Sequence, residues 1–127
     1  MEILLDTCSL IWLVMGGGKL SKAAQSQIEK AKTVYVSSIS SFEIAHAASR
    51  GSLELPCEPD AWFYDALEKH DLSEIHLSGK IAAASVKLPR IHKDPCDRFI
   101  IATAKLTGLA VVTGDHIFKE YDIPTLS

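Results

Sequence analysis

The sequence predicts an α/β protein of three layers, α/β/α, with helices on both sides of a central, mostly parallel sheet. Short apolar and β-branched runs alternate along the chain with longer stretches of helical pattern. The first of those runs is apolar without alternation, as a strand covered on both faces must be. Size agrees: 127 residues, 47% apolar and 23% charged, suit one domain spanning 1–127, with a core that needs no disulfide or metal staple. The same composition excludes disorder and collagen-like repeats.

Residues 2–6 (Glu-Ile-Leu-Leu-Asp) form the first strand, closed by an acid. Ser9 is placed to cap a short helix over 10–15, which Gly16, Gly17 and Gly18 must end. Ser21 caps a second helix running to about residue 32, and 33–36 (Thr-Val-Tyr-Val) is a second buried strand. Ser40 starts the next helix, with Glu43 in capping-box position and Gly51 beyond its end. After a loop with Pro56 and Pro59, Asp60 opens an amphipathic helix carrying Trp62, Phe63, Ala66 and Leu67. Residues 74–77 are a strand candidate, and 79–88 an Ala-rich helix stopped by Pro89. From Asp94 a helix begins with Pro95 at its first position and Gly108 at its far end. It is apolar nearly all round and is expected to be buried. Residues 109–112 are the last strand, from whose end Thr113-Gly114-Asp115 turns away. These patterns leave the strand order open.

Several function classes are excluded by what is missing. No apolar run approaches the ~20 residues of a membrane span. Glu2 and Asp6 stand where a signal peptide needs basic and then unbroken apolar residues, so a cytoplasmic protein is expected. Cys8, Cys57 and Cys96 form an odd set without CxxC spacing, which argues against disulfides and zinc and reads as small buried apolar residues. His92 with Cys96 lacks the third and fourth ligands of a zinc centre. The formal charge of −3 is unlike a nucleic-acid binder, yet neutralising four carboxylates with a cation turns −3 into +1. RNA therefore stays open as a substrate.

In open parallel sheets, ligands bind beyond the carboxyl ends of the strands. The polar residues this sequence sends there are mostly acids: Asp6 after the first strand, Glu43 in the helix after the second, Asp97 in the first turn of the buried helix, and Asp115 past the last strand. Asp94 is a candidate fifth. Clustered carboxylates raise one another's pKa unless a cation neutralises them, and oxygen-only donors select a hard ion, Mg²⁺ or Mn²⁺. Such an ion activates water for phosphodiester hydrolysis. Each acid also has an ordinary structural reading: Glu43 as capping partner of Ser40, Asp97 as a cap toward Asp94, Asp6 as a turn residue, Asp115 as an Asx-turn or cap. Capping alone does not explain why acids recur at each strand exit on one edge. Thr113 reads as a cap or as a holder of bound water, and Ser9 and Ser38 mainly as caps. Lys87, Arg90, His92, Lys93 and Arg98 form a basic stretch that reads as a solvated face or a phosphate-binding rim. Trp12, Trp62, Phe63 and Tyr64 read as core or interface anchors.

Leu4-Leu5-Asp6-Thr7, Val36-Ser37-Ser38-Ile39-Ser40 with Glu43-Ile44, His92-Lys93-Asp94-Pro95-Cys96-Asp97-Arg98 and Val112-Thr113-Gly114-Asp115 resemble the PIN-domain family, in particular the VapC-like toxins of bacterial toxin–antitoxin pairs. The likeness covers nearly the whole chain in order. It implies a PIN-like α/β/α fold, Mg²⁺- or Mn²⁺-dependent ribonuclease activity, frequent homodimers, and a small antitoxin whose tail blocks the acidic crevice. By position it implies Asp6, Glu43, Asp97 and Asp115 as the catalytic, metal-binding quartet and Thr113 as the hydroxyl near the fourth acid. Cys8 stands where this subgroup often has His, and Cys96 where it often has Phe; neither change removes a ligand. The expected activity is an endoribonuclease whose metal-activated water leaves 5′-phosphate and 3′-OH ends. The alternatives are a receiver- or phosphatase-like Mg²⁺ domain, or a catalytically silent binding module of the same fold. Cys8 occupies the position where such a phosphatase needs a second Asp, and a single acid at Leu5-Asp6 lacks a receiver's acidic pair.

Overall fold

The structure is a computed structural model describing residues 1–16 and 19–127. The part of the glycine stop at Gly17 and Gly18 lies outside the described residues. Among the described residues, five strands form one sheet: β1 (Glu2–Leu5), β2 (Thr33–Ser37), β3 (Leu72–Ile75), β4 (Ala110–Val112) and β5 (Thr125–Leu126). Their order is β3-β2-β1-β4-β5, and every pairing is parallel. β1 is central because it is the strand that can be buried on both faces: Ile3, Leu4 and Leu5 have no exposed surface. Successive side chains divide between the layers, as strand geometry requires. Ile3 and Leu5 enter one core with Val34, Val36, Leu10, Ile44 and Phe63, while Leu4 enters the other with Val111, Ile100, Ile101 and Phe118.

The first core is covered by α1 (Thr7–Met15), α2 (Lys22–Lys30), α3 (Ile39–Ser49) and α4 (Pro59–Lys69). The second is covered by α5 (Gly79–Val86), α6 (Pro95–Thr107) and a 3₁₀ segment, His116–Glu120. The three-layer α/β/α expectation therefore holds. Ser21 caps α2 as expected, accepting from the Ala24 N–H. Gly108 ends α6 at φ 73°, a left-handed conformation that glycine adopts without a Cβ clash. No helix among the described residues is long and apolar enough to cross a membrane.

Several expectations are corrected. Asp6, not Ser9, caps α1: its carboxylate accepts the Ser9 N–H, because the chain turns into the helix directly after β1. Ser40 is no cap either, since α3 starts at Ile39 and Ser40 is fully buried in its first turn. β3 lies at Leu72–Ile75, two residues before the expected strand, because α4 ends at Lys69 and Asp71, at φ 54°, redirects the chain at once. α5 stops at Val86, short of residue 88. α6 is not buried all round: Leu106 on its outer face is exposed. The cysteines are not core residues; Cys8 and Cys57 are exposed and Cys96 is half-buried. Of the aromatic residues read as core or interface anchors, Trp62 and Phe63 are in the core and Tyr64 is exposed.

Candidate active site

In this strand order the chain leaves β1 in one direction toward β2 and β3 and returns on its other side as β4, so a crevice opens between the carboxyl ends of β1 and β4. α1 and α3 start directly after β1 and β2 at that edge. α6 leads into the opposite, amino end of β4, which places its N-terminus at the same edge. Asp6, Glu43, Asp94, Asp97 and Asp115 line one cleft of about 460 Å³, with Thr7 and Cys8 among its other walls. The four expected acids thus meet, and Asp94 joins them.

The half of the cleft at the end of β1 is held by backbone amides and hydroxyls. Asp6 is buried, and its Oδ1 accepts the Ser9 N–H at 2.8 Å. Glu43 Oε1 accepts the Thr7 hydroxyl at 2.5 Å, within the range of charge-assisted O–H···O⁻ bonds. Thr7 Oγ1 lies 2.8 Å from Ser40 Oγ; because the Thr7 proton is committed to Glu43, Ser40 donates to Thr7. The buried Ser9 hydroxyl donates to Val112 O at 2.9 Å, tying the first turn of α1 to β4.

The half at α6 is built differently. His92 Nε2 lies 3.0 Å from Asp97 Oδ2 and 3.0 Å from Asp115 Oδ2. Asp94 caps α6, its Oδ1 accepting the Cys96 N–H at 2.9 Å. Asp115 caps the 3₁₀ segment, its Oδ1 accepting the Ile117 N–H at 2.9 Å. Thr113 Oγ1 accepts the Asp115 N–H at 3.0 Å, which fixes the turn out of β4.

Residues 3–124 match the PIN domain family. The chain belongs to that family. Ribonuclease VapC22 of Mycobacterium tuberculosis is 32% identical over 123 residues, covering 96% of this chain and 93% of the relative. A toxin–antitoxin complex from Klebsiella pneumoniae contains a chain with TM-score 0.68 and 25% identity, covering 98% of this chain and 96% of that one. DNA-bound VapBC from Salmonella typhimurium shares the fold at TM-score 0.72 and 19% identity, covering 99% and 97% of the two chains.

In this PIN domain the electrostatics of the cleft follow from crowding. Burial raises the Asp6 carboxyl above its usual range, the Thr113 and Ser9 hydrogen bonds pull it back, and Asp115 adds repulsion. Burial likewise raises Glu43, opposed by the Thr7 hydrogen bond and reinforced by Asp94 and Asp6. Asp97 is pushed up to about 7 by burial and by the charges of Glu43 and Asp94, with His92 acting the other way. Although Cys8 is exposed as a residue, partial desolvation of the thiols and the neighbouring cleft acids push Cys8 and Cys96 up to about 11, so neither is a reactive thiolate at neutral pH. Among the described residues, no Lys or Arg nitrogen lies within 4.0 Å of any of the four acids. Arg50 lines the cleft without pairing with any of them, and oxygen donors that repel one another with no Lys or Arg ion pair fit a hard dication. Two donor groups have ligand atoms within 4.8 Å of one another, Glu43 with Asp94 and Cys96, and His92 with Asp97 and Asp115.

The ordinary readings of the acids divide in an instructive way. Asp6, Asp94 and Asp115 do cap helical segments, whereas Glu43 and Asp97, for which capping also explained the sequence, cap nothing. Arg98, read as part of a solvated face or a phosphate-binding rim, instead donates to the carbonyls of Ser85, Leu88, Pro89 and His92. Its fork of donors organises the loop before α6. Thr7 and Arg50, which line the cleft, and His92, which touches two of its acids, are polar residues whose placement the sequence did not reveal. Thr7 adjoins Asp6 in the motif, and that adjacency was the available signal. His92 was grouped with the basic rim, although its spacing from Asp94 and Asp97 carried it into the same loop-to-helix junction.

Proposed function

We propose that this PIN domain is a Mg²⁺- or Mn²⁺-dependent endoribonuclease, the toxin of a bacterial toxin–antitoxin pair. The observation that carries the reading is the meeting of Asp6, Glu43, Asp97 and Asp115 in one cleft where, among the described residues, none of the four is ion-paired to Lys or Arg, although Arg50 lines the same cleft. The 32% identity to a protein named a ribonuclease supports the reaction class, and the likeness to chains of toxin–antitoxin complexes supports the biological role. In this reading the four carboxylates are the metal ligands and catalytic residues. A bound Mg²⁺ or Mn²⁺ would supply Lewis acidity, favouring ionisation of a water and offsetting charge on the leaving oxygen.

The chain's own part is placement. Asp6 is fixed by the Ser9 amide and Glu43 by Thr7, so neither has to be ordered when a cation arrives. Thr113 holds the turn that presents Asp115. Arg90 and Lys93 line a neighbouring groove of about 450 Å³ and would receive backbone phosphates of the RNA, orienting it without reading its bases. The proposal includes a small antitoxin that masks the acidic cleft, a homodimer, and a cytoplasmic location.

End-mapping of RNA fragments after brief expression of the wild type, beside an Asp6→Asn control, tests this function. Attack by water with the 3′-oxygen departing gives 5′-phosphate and 3′-OH ends, which should be absent with the control. Cyclic 2′,3′-phosphate ends, or fragments unchanged by Asp6→Asn, would reject it. Asn keeps an acceptor for the Ser9 N–H, so the cap of α1 survives the substitution.

A further inference from the structure

One side chain touches two of the four acids and is itself held at every polar atom. The His92 imidazole is largely buried, with its side chain 10% exposed. Its ring meets Phe118 edge to face, centroids 5.8 Å apart at 87°. Its backbone N–H donates to the Tyr121 hydroxyl at 2.7 Å, and that hydroxyl donates to Pro89 O at 2.9 Å. Arg98 donates to its carbonyl at 3.2 Å. On the ring, Nδ1 accepts the Asp94 backbone N–H at 3.2 Å.

That last contact decides the chemistry of the other nitrogen. A neutral imidazole has one donor and one acceptor nitrogen. With Nδ1 facing an amide proton, the acceptor is Nδ1 and the proton sits on Nε2, 3.0 Å from both Asp97 Oδ2 and Asp115 Oδ2. Direct metal ligation through Nε2 would need the opposite tautomer, which turns an Nδ1–H toward the Asp94 N–H and leaves two donors face to face. His92 is therefore suited to aligning carboxylates and unsuited to joining them as a ligand.

We propose that His92 is a positioning residue that pins Asp97 and Asp115 as a pair through one shared Nε2–H, with Tyr121 and Arg98 holding its backbone in register. The inference deepens the nuclease reading and rests on it for the role of the pair. The imidazole acts through the two carboxylates, as outer-sphere partners of metal ligands do.

The test begins with long-range ¹H–¹⁵N spectra of the imidazoles of the full-length protein in EDTA, with His92 assigned by its loss in His92→Gln. Nε2 should carry the proton, Nδ1 should have the shift of an unprotonated nitrogen, and added Mg²⁺ should leave both unchanged. An unprotonated Nε2, or one whose shift moves as a ligand's does on adding Mg²⁺, overturns the assignment. Kinetics give the second readout. His92→Leu should lower kcat for RNA cleavage by ~10–100-fold, the range for outer-sphere partners, with little change in KM. His92→Gln, whose amide N–H reaches the same place, should recover most of that loss. A Gln variant as impaired as the Leu variant would overturn the proposal. A wild type that cuts no RNA would count against the nuclease reading alone, because the tautomer is read without metal or RNA.

Discussion

The two halves of the acidic cleft achieve the same result by different means. At the end of β1, Asp6 and Glu43 are held by a backbone amide and a chain of hydroxyls from Ser40 through Thr7, parts of the first turns of α1 and α3 themselves. At α6, Asp97 and Asp115 come from elements that meet only in space, and a single imidazole joins them. Hydrogen bonds at the β1 half relieve part of what burial does to Asp6 and Glu43, whereas Asp97, with His92 as its hydrogen-bonding partner, is displaced furthest, to about 7. The β1 half draws on several separate donors, whereas Asp97 and Asp115 share one imidazole, and it is that half that is poised. The α6 half should therefore respond most strongly to substitution, to pH and to cations.

The largest effect should come from the poised half. Asp97→Asn should reduce RNA cleavage by more than ~100-fold, beyond the range of outer-sphere partners. In EDTA at pH 8 it should raise Tm, because it removes a charge that its surroundings disfavour. Thermal scans and initial-rate assays on the same preparation check both, and a lower Tm with wild-type cleavage would break the comparison. At the β1 half, Thr7→Val removes the hydroxyl that holds Glu43 but keeps the side chain's shape, and activity should fall by only ~10-fold. A loss as large as that of Asp97→Asn, measured side by side, would mean the two halves are equally fragile.

The pH dependence sharpens the contrast further. Asp6, Glu43 and Asp97 are all raised, so between about pH 4 and about 7 the folded chain retains protons that the unfolded chain releases. Stability in EDTA should fall as pH rises through that window, by several degrees in Tm, and Asp97→Asn should flatten the fall more than Glu43→Gln. A flat or rising profile for the wild type contradicts the raised values. The smallest effect belongs to Ser9→Ala, which loses the hydrogen bond to Val112 O and should cost about 1 kcal/mol of stability in denaturant titrations. Cation affinity should be unchanged; a weaker affinity would move Ser9 from scaffold to site.

The four acids were legible because each follows a strand end or helix start that the chain announces locally, and a parallel sheet sends such positions to one edge. Choosing among neighbouring caps was harder. Asp6 and Ser9 are both good caps, and only the immediate turn after β1 gives the role to Asp6 and sends Ser9 inside. Thr7 and Glu43 are 36 residues apart and His92 and Asp115 are 23, so no local pattern encodes either contact. β5, at Thr125–Leu126, is too short for a period to be visible; it exists because β4 offers it a parallel edge. Arg98 is illegible for a related reason: a cation in a basic stretch reads as a solvated or phosphate-binding residue until the carbonyls around it are in view.

The central claim is that these carboxylates form one seat for a hard cation. It is tested most directly by the Tm of the wild type and of the double variant Asp6→Asn, Asp97→Asn, each measured in EDTA and with increasing Mg²⁺ at pH 8. The wild type should gain stability with the logarithm of Mg²⁺ concentration once the site begins to fill, while the double variant should not respond. A wild type indifferent to Mg²⁺, or a double variant with the same rise, would contradict the account.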